Sequence, residues 1–132
     1  MLLSKMILDI IDFKTELNLL ESDFTFEGAV DWYCWAIPMG LVETEYDREE
    51  LVGYAEWVRL PTIPTDFNSI TLQYDKIKTA PILLVANLAA KDKEVLMRLK
   101  QKIAEHNPDW TTVVWHHKDK GFRTFNRTTT KE

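Results

Sequence analysis

Near the beginning of the chain, apolar residues recur at the four- and three-residue spacing of an amphipathic helix. The pattern predicts a helix over residues 1–20, with Ser4 as a candidate N-cap. Ile7 and Ile11 make the apolar stripe wider than one neighbouring element requires, so we weigh two roles for it: packing on the core, and contact with a partner or a membrane surface. The main stripe consists of Met6, Ile10, Phe13, Leu17 and Leu20.

Two strands come next in the pattern. Residues 41–46 and 51–60 are each typical of a strand, and the polar residues 47–50 between them predict a β-hairpin. The second strand ends at Pro61.

Two other segments are less regular. The apolar run 29–37 is too short for its periodicity to decide between helix and strand. Pro38 is expected to end this run, because it disfavours helical angles at Ile37. Residues 62–79 are predicted to be a long loop with a strand at 70–74, and a loop of this length in a small domain indicates function or an assembly contact.

The second half of the chain is more regular. Residues 82–88 form a nearly continuous apolar run, which predicts a strand buried on both faces. Asp92 is placed to cap a helix over residues 93–106. Two short strands then flank a turn at 119–121, which predicts a second hairpin, and residues 128–132 are expected to be a flexible tail.

Together these elements predict an α/β protein in the wide sense that includes α+β folds. We expect one domain over residues 1–132, with a mixed, mostly antiparallel sheet and helices packed on it. The length of 132 residues suits one domain with a proper core. A composition of 45% hydrophobic and 28% charged residues is that of an ordinary globular protein.

Charge is distributed unevenly along the chain. The net charge is −5, but residues 116–132 contain five basic and two acidic residues and carry +3, which leaves −8 on the preceding residues. An acidic body argues against non-specific binding to nucleic acid, whereas the basic end favours contact with an acidic partner.

Cysteine content and hydropathy further restrict the class of protein to which this chain can belong. Cys34 is the only cysteine, which excludes an intrachain disulfide and a zinc site built on several thiolates. Between Tyr33 and Trp35 it is expected to be a small buried hydrophobe. No apolar run approaches the roughly 20 residues that span a bilayer, so we expect a soluble protein in a reducing compartment.

A family resemblance rests on three segments. The first is the second strand of the first hairpin, with Gly53, Tyr54, Trp57 and Leu60. The second is the buried strand ILLVANLAA together with the helix at residues 93–106. The third is the second hairpin, with the sequence VVWHHKDKGFRTFNR. In this order the chain resembles the GNAT-like acyltransferase fold, and within it the RTX-toxin-activating lysine acyltransferases and small phage-borne relatives. The resemblance implies a GNAT-like domain.

The catalytic residues of those acyltransferases are not found in this sequence. The family uses a His before the hairpin and an Asp on the central strand. Here no His precedes His106, and the strand reads Val85, Ala86, Asn87 at the corresponding positions. If the chain is an enzyme, Glu56 or Tyr54 would have to replace the missing base.

The resemblance also implies a place for acyl-CoA, after the central strand. The loop there runs from Ala89 to Lys93 and contains no glycine to let its backbone close on a phosphate. Lys91, Lys93 and Asn87 are the candidate cofactor-binding residues, although Asp92 at the helix cap would repel an anion. We therefore expect no bound cofactor in a non-enzymatic protein, and acyl-CoA in an enzyme.

The second hairpin combines cations with aromatic side chains, the mixture used to stack on single-stranded nucleic acid or to dock on an acidic protein. The same cations also protect a sheet edge. The candidate partner-binding residues are Lys118, Lys120, Arg123, Arg127, Trp115 and Phe122.

Two further clusters predict no metal site. His116 and His117 are neighbours on a strand and therefore point to opposite faces. The acidic residues between Glu43 and Glu50 are typical of a solvated turn.

These observations predict a non-catalytic, GNAT-like binding or assembly module, an accessory or virion-associated protein of a phage, in the host cytoplasm or the virion. Its predicted partner is a protein, a second copy of the chain or a larger viral assembly, and not a membrane. The first alternative is a protein N-acyltransferase that uses acyl-CoA or acyl carrier protein. A weaker alternative is binding of single-stranded nucleic acid.

Overall fold

The structure is a computed structural model that describes residues 2–117 and 120–126, apart from the side chain of His117. The predicted tail at 128–132 lies outside these residues. A single 3₁₀ turn, Phe67–Ser69, lies between the second and third strands. The elements, in chain order, are α1 (Leu3–Glu16), α2 (Phe26–Ala36), β1 (Val42–Asp47), β2 (Glu50–Leu60), β3 (Ile82–Ala90), α3 (Lys93–His106), β4 (Thr112–His117) and β5 (Gly121–Asn126).

The five strands form one sheet in the order β1-β2-β3-β4-β5. All neighbours are antiparallel except β3 and β4, which are parallel and are connected through α3. The predicted fold class, a mixed and mostly antiparallel sheet with helices on it, is confirmed. Both predicted hairpins are present.

The helices cover opposite faces of the sheet. On one face, Tyr54 of β2 meets Phe13 of α1 edge to face, at 6.0 Å between ring centroids. On the other, Gly53 lies so close to α3 that a Cβ there would be 2.5 Å from a methyl group of Val95. Strand β2 is therefore the centre of the core, and all ten residues from Leu51 to Leu60 are buried.

Helix α1 differs from its prediction in both extent and orientation. It spans Leu3–Glu16, shorter than 1–20, and Leu2 is its N-cap residue without a side-chain cap, so Ser4 is not the cap. The residues it buries are Ile7, Ile10, Ile11 and Lys14, while Leu17 lies beyond the helix and is exposed. Because Ile7 and Ile11 pack in the core, the widened stripe gives no support to a partner-binding or membrane-surface helix.

Residues 29–36 of the undecided run 29–37 lie in helix α2. The helix starts earlier than that run, since the Thr25 side chain accepts a hydrogen bond from the Gly28 N–H at 3.1 Å and caps it. Ile37 keeps helical angles in front of Pro38 (φ −65°, ψ −51°), so the expected effect of the proline on this residue is wrong. The helix nevertheless ends at Ala36.

Residues 61–81 are a loop, as predicted, but the expected strand at 70–74 is not formed. Strand β1 pairs with β2 only as far as Glu56, and beyond this point the Arg59 N–H donates to the carbonyl of Ile77 in the loop at 2.9 Å. The buried Arg59 side chain also anchors the loop: its Nε donates to the Ala80 carbonyl, and its Nη1 donates to Asn107 at 3.1 Å and to Asp109 at 2.9 Å.

Strand β3 is buried on both faces only over its first half. Ile82, Leu83 and Leu84 are buried, whereas Ala86 is exposed and the residues after it are half-buried. The prediction of a strand buried throughout is therefore wrong for the second half.

None of the described helices is long and apolar enough to cross a membrane.

Candidate functional site: a cleft between β3 and β4

The two parallel strands stay together for only a short distance. Hydrogen-bonded pairing joins Ile82–Val85 to Thr112–Trp115, and β3 continues to Ala90 with no partner on that side among the described residues. The register with β2 also shifts here: Glu56 lies opposite Asn87 and Trp57 opposite Val85, which leaves Ala86 as the extra residue of a β-bulge. The bulge and the loss of pairing open the sheet at this point.

The opening is a cleft of about 680 Å³ on the α3 side of the sheet. Its walls are mainly apolar, with Asn87, Lys100 and His116 as the polar exceptions. Trp57 is buried in the core and does not line the cleft. The apolar lining comes from Leu83, Val85, Ala86, Leu88, Ile103, Ala104, Trp110, Val113 and Trp115.

A second, more polar cavity of about 360 Å³ lies on the side of α1 and α2. It shares Ala86 and Asn87 with the cleft, so the two cavities adjoin along the bulged part of β3. Among its charged and hydrogen-bonding residues are Lys14, Glu21, Asp23, Thr25, Trp32, Tyr33 and Glu56.

Glu56 is the buried carboxylate of this second cavity, with 4% of its surface exposed. It accepts hydrogen bonds from Tyr33 Oη at 2.6 Å and Trp32 Nε1 at 2.9 Å, and a long one from Asn87 Nδ2 at 3.4 Å. Desolvation raises the pKa of Glu56 despite these bonds, because the ionised form loses water on burial. A buried acid with a raised pKa beside an open cleft is a candidate functional group.

Lys14 and Glu21 form an ion pair at this cavity. The Lys14 Nζ donates to Glu21 at 2.9 Å, and only 6% of the lysine side chain is exposed. Burial alone would raise the pKa of Glu21, but the hydrogen bond and the charge of Lys14 outweigh it and lower that pKa.

Tyr54, the other candidate substitute base, is a core residue. It is fully buried, lines neither cavity, and its hydroxyl has no hydrogen-bond partner among the described residues. Burial raises the pKa of Tyr54, with the nearby charges of Glu56 and Glu21 adding to the effect. Of the two candidates, only Glu56 lies at a cavity.

The candidate cofactor residues do not come together. Asn87 lines both cavities, but Lys91 and Lys93 are exposed and line neither. Lys91 lies 3.6 Å from Glu50, and the carboxylate of Asp92 accepts the Val95 N–H at 3.0 Å, which confirms the predicted cap of α3. The beginning of α3 is therefore occupied by a carboxylate and is a poor site for a phosphate.

The candidate partner residues divide between two faces of the β4–β5 hairpin. Trp115 lies opposite Arg123 on the α3 side, where Trp115 also lines the cleft. Phe122 lies on the other face, in ring contact with His116 and with Phe67 of the loop. Lys120 is exposed in the turn. Lys118 and Arg127 lie outside the described residues.

Three smaller predictions can be compared with the structure. No group of three or more side chains able to hold a metal occurs within residues 2–117 and 120–126. The acidic residues of the turn itself, Asp47, Glu49 and Glu50, are exposed as predicted. Glu43 and Glu45 are not: they are half-buried, Glu43 lies 2.9 Å from His106, and Glu45 pairs with Arg98 at 2.7 Å and with Lys102. Cys34 is exposed, so the prediction that it is buried is wrong.

Sequence reasoning missed several residues of the two cavities. The sequence does indicate Lys14, because it follows Ile7 and Ile10 at helical spacing and so lies on the same, buried face of α1. It does not indicate Trp32 and Tyr33, because the run 29–37 was not identified as a helix and their approach to Glu56 joins residues 23 and 24 positions apart.

Comparison with known protein families, with curated proteins and with solved structures finds no match for this chain.

Proposed function

We propose that this chain is a GNAT-like binding module that holds an acyl chain on an extended, amide-bearing carrier of the pantetheine type. The observation that supports the proposal is the open apolar cleft where β3 and β4 separate. The sequence resemblance implies an acyl-pantetheine ligand in a gap at this position.

Both parts of such a ligand suit the chemistry of the cleft. The acyl chain matches walls made mostly of aliphatic side chains and tryptophan. The amides of pantetheine match the edge of β3 after Val85, whose outward N–H and C=O groups have no partner strand in the part of the chain that the structure describes. Lys91 and Lys93 do not line the cleft, and Lys100 is the one lysine or arginine among the described residues that does, so recognition would depend mainly on the acyl and amide parts of the ligand.

Thermal unfolding with octanoyl-CoA and with free CoA tests this proposal. A ligand at about 100 times its Kd adds about 2.7 kcal/mol of stability, a rise of several degrees in Tm. We expect octanoyl-CoA to raise the Tm and free CoA to raise it much less.

Two variants localise the effect. Ala86→Phe places a ring in the cleft at an exposed strand position, and Gln101→Phe is its control on the exposed surface of α3. The proposal requires that Ala86→Phe lose the octanoyl-CoA effect and that Gln101→Phe keep it. Equal stabilisation of both variants would place the ligand elsewhere and contradict the proposal.

A second candidate function is transfer of the acyl group to an amine, and Glu56 is the observation that favours it. Its carboxylate lines the polar cavity, which adjoins the acyl cleft along Ala86 and Asn87. In this reaction the amine attacks the thioester carbonyl, the amine proton passes to the Glu56 carboxylate, and the C–S bond breaks as the amide forms. The leaving thiolate then takes that proton from Glu56 and departs as the thiol.

Release of CoA thiol in the presence of N-acetyl-lysine methyl ester tests transfer, with the acylated amine identified by mass spectrometry. Glu56→Gln is expected to lower the rate by about 10²–10⁴-fold and to keep the thermal shift with octanoyl-CoA. Glu16→Gln, an exposed change on α1, is the control. A Glu56→Gln rate equal to that of the wild type would remove Glu56 from the chemistry.

We also keep the proposal that the chain is an accessory or virion-associated phage protein that works through a protein partner. It rests on the sequence resemblance and on the cationic β4–β5 hairpin. Mass spectrometry of purified virions from a producing strain would test it, and it fails if the chain is found neither in virions nor in complex with a phage protein.

A further inference from the structure

Within residues 2–117 and 120–126, no helix covers the α3 side of the sheet at β4 and β5. Helix α3 packs on β1, β2 and β3, and α1 packs on β2. On the α3 side of the hairpin, Trp115 lies opposite Arg123 and Val113 opposite Phe125. We call these four residues the hairpin face.

The hairpin face exposes large aromatic side chains. Phe125 is 58% exposed and Trp115 is 39% exposed, although the latter also contributes to the cleft. Protection of a sheet edge requires only charges, and exposed aromatic rings work against it. Trp, Phe and Arg side by side are instead the residue types enriched at protein interfaces.

The backbone beside this face is also available. Strand β5 is the last strand of the sheet, and among the described residues it pairs only with β4. Residues 123–126 are exposed. Their outward N–H and C=O groups can therefore take up one more strand.

Charge indicates the kind of strand that would bind. Lys120 and Arg123 are exposed, and the sequence from Trp110 to Asn126 contains a single acidic residue, Asp119. This cationic segment belongs to a chain with a net charge of −5. An extended segment with acidic side chains complements it, and a basic one does not.

We propose that the free edge of β5 binds an extended acidic segment of a partner protein by strand addition. An acidic side chain of the added strand faces Arg123, and apolar side chains pack beside Phe125 and Trp115. The bound segment continues the sheet, so its backbone supplies affinity and its alternating side chains supply specificity. This inference does not depend on the ligand proposed for the cleft.

Synthetic peptides of about seven residues provide the probe: every second residue is threonine, and the residues between are alternately glutamate and valine, so that both types lie on one face of the added strand. Backbone amide shifts and hydrogen exchange of the full chain are followed during titration. We expect the Glu/Val peptide to protect amides among residues 123–126 and to bind more weakly as salt rises. A Gln/Val peptide should bind at least about threefold more weakly, because it lacks the cross-strand charge pair.

Variants distinguish binding at the hairpin face and the β5 edge from a general electrostatic attraction of acidic peptides to the protein. Arg123→Glu should weaken the Glu/Val peptide by about fivefold or more, since repulsion replaces attraction. Lys76→Glu, an exposed charge reversal in the loop 61–81, should change little. Phe125→Ser should weaken both peptides while the protein stays folded, as a side chain with this exposure adds little to the core.

Three results would overturn the proposal. The first is absence of binding at millimolar peptide, and the second is protection that maps to β1 in place of β5. The third is a concentration-dependent dimer that Arg123→Glu dissociates, because it would assign the hairpin face to a second copy of the chain.

Discussion

At the scale of single residues, Glu56 and Gly53 show how two positions of one strand, three residues apart, take opposite roles. The Glu56 side chain and the place that a Cβ on Gly53 would occupy lie on opposite faces of β2. The carboxylate of Glu56 is buried among donors from α2, and Gly53 is the point where α3 comes closest to the sheet. Each residue leads to a prediction that does not require knowledge of the ligand.

Glu56 is predicted to make stability depend on pH. Because its pKa in the folded protein is raised above the ordinary value of 4.5, the folded state holds its proton more tightly than the unfolded chain. Its contribution to stability is present below about pH 4.5 and is lost as pH rises through the folded pKa. The free energy of unfolding of Glu56→Gln, relative to the wild type, should therefore increase with pH over this range.

Urea unfolding of both proteins between pH 4 and pH 8 measures this difference. Glu16→Gln serves as the control, because Glu16 is exposed and its substitution should leave the pH profile unchanged. A difference between Glu56→Gln and the wild type that is flat with pH would mean that burial does not perturb Glu56.

Gly53→Ala is predicted to destabilise the protein by overpacking. The added methyl would meet Val95 at 2.5 Å and Leu99 at 3.0 Å, which typically costs about 1–3 kcal/mol. Urea unfolding measures the loss, and a double-mutant cycle with Val95→Ala is its control. The cost should be smaller in the Val95→Ala background, and an equal cost in both would show that close packing is not the cause.

At the scale of elements, the sequence predicted most of the secondary structure and missed the parts fixed by tertiary contacts. The hairpins, β3 and α3 each have a strong local pattern, and α3 has its Asp92 cap. The orientation of α1 depends on which face meets β2, and the periodicity of an apolar-rich helix does not determine this. Helix α2 was undecided because its polar start, including the Thr25 cap, lay outside the apolar run.

The Asp92 cap supports a prediction for α3. Asp92→Ala removes the acceptor for the Val95 N–H, and loss of such a cap costs about 0.5–2 kcal/mol. Urea unfolding measures it, with the exposed Asp12→Ala inside α1 as the control, which should be neutral or slightly stabilising. No loss in Asp92→Ala would mean that water satisfies these N–H groups equally well.

At the scale of the whole molecule, the candidate site depends on how two strands separate, and a single sequence does not contain that information. The apolar run of β3 predicted a strand buried on both faces, and only the register reveals the bulge at Ala86 and the end of pairing after Val85. Of the site residues predicted from sequence, Glu56, Asn87 and Trp115 line the two cavities, and Lys91 and Lys93 do not.

The central claim is that an acyl-bearing, amide-containing ligand lies along the open edge of β3. Hydrogen exchange of the full chain with saturating octanoyl-pantetheine tests it most directly. We predict slower exchange at those amides of residues 86–90 that do not bond to β2, and no such slowing in Ala86→Phe. Unchanged exchange at these amides, or protection confined to another part of the protein, would contradict the claim.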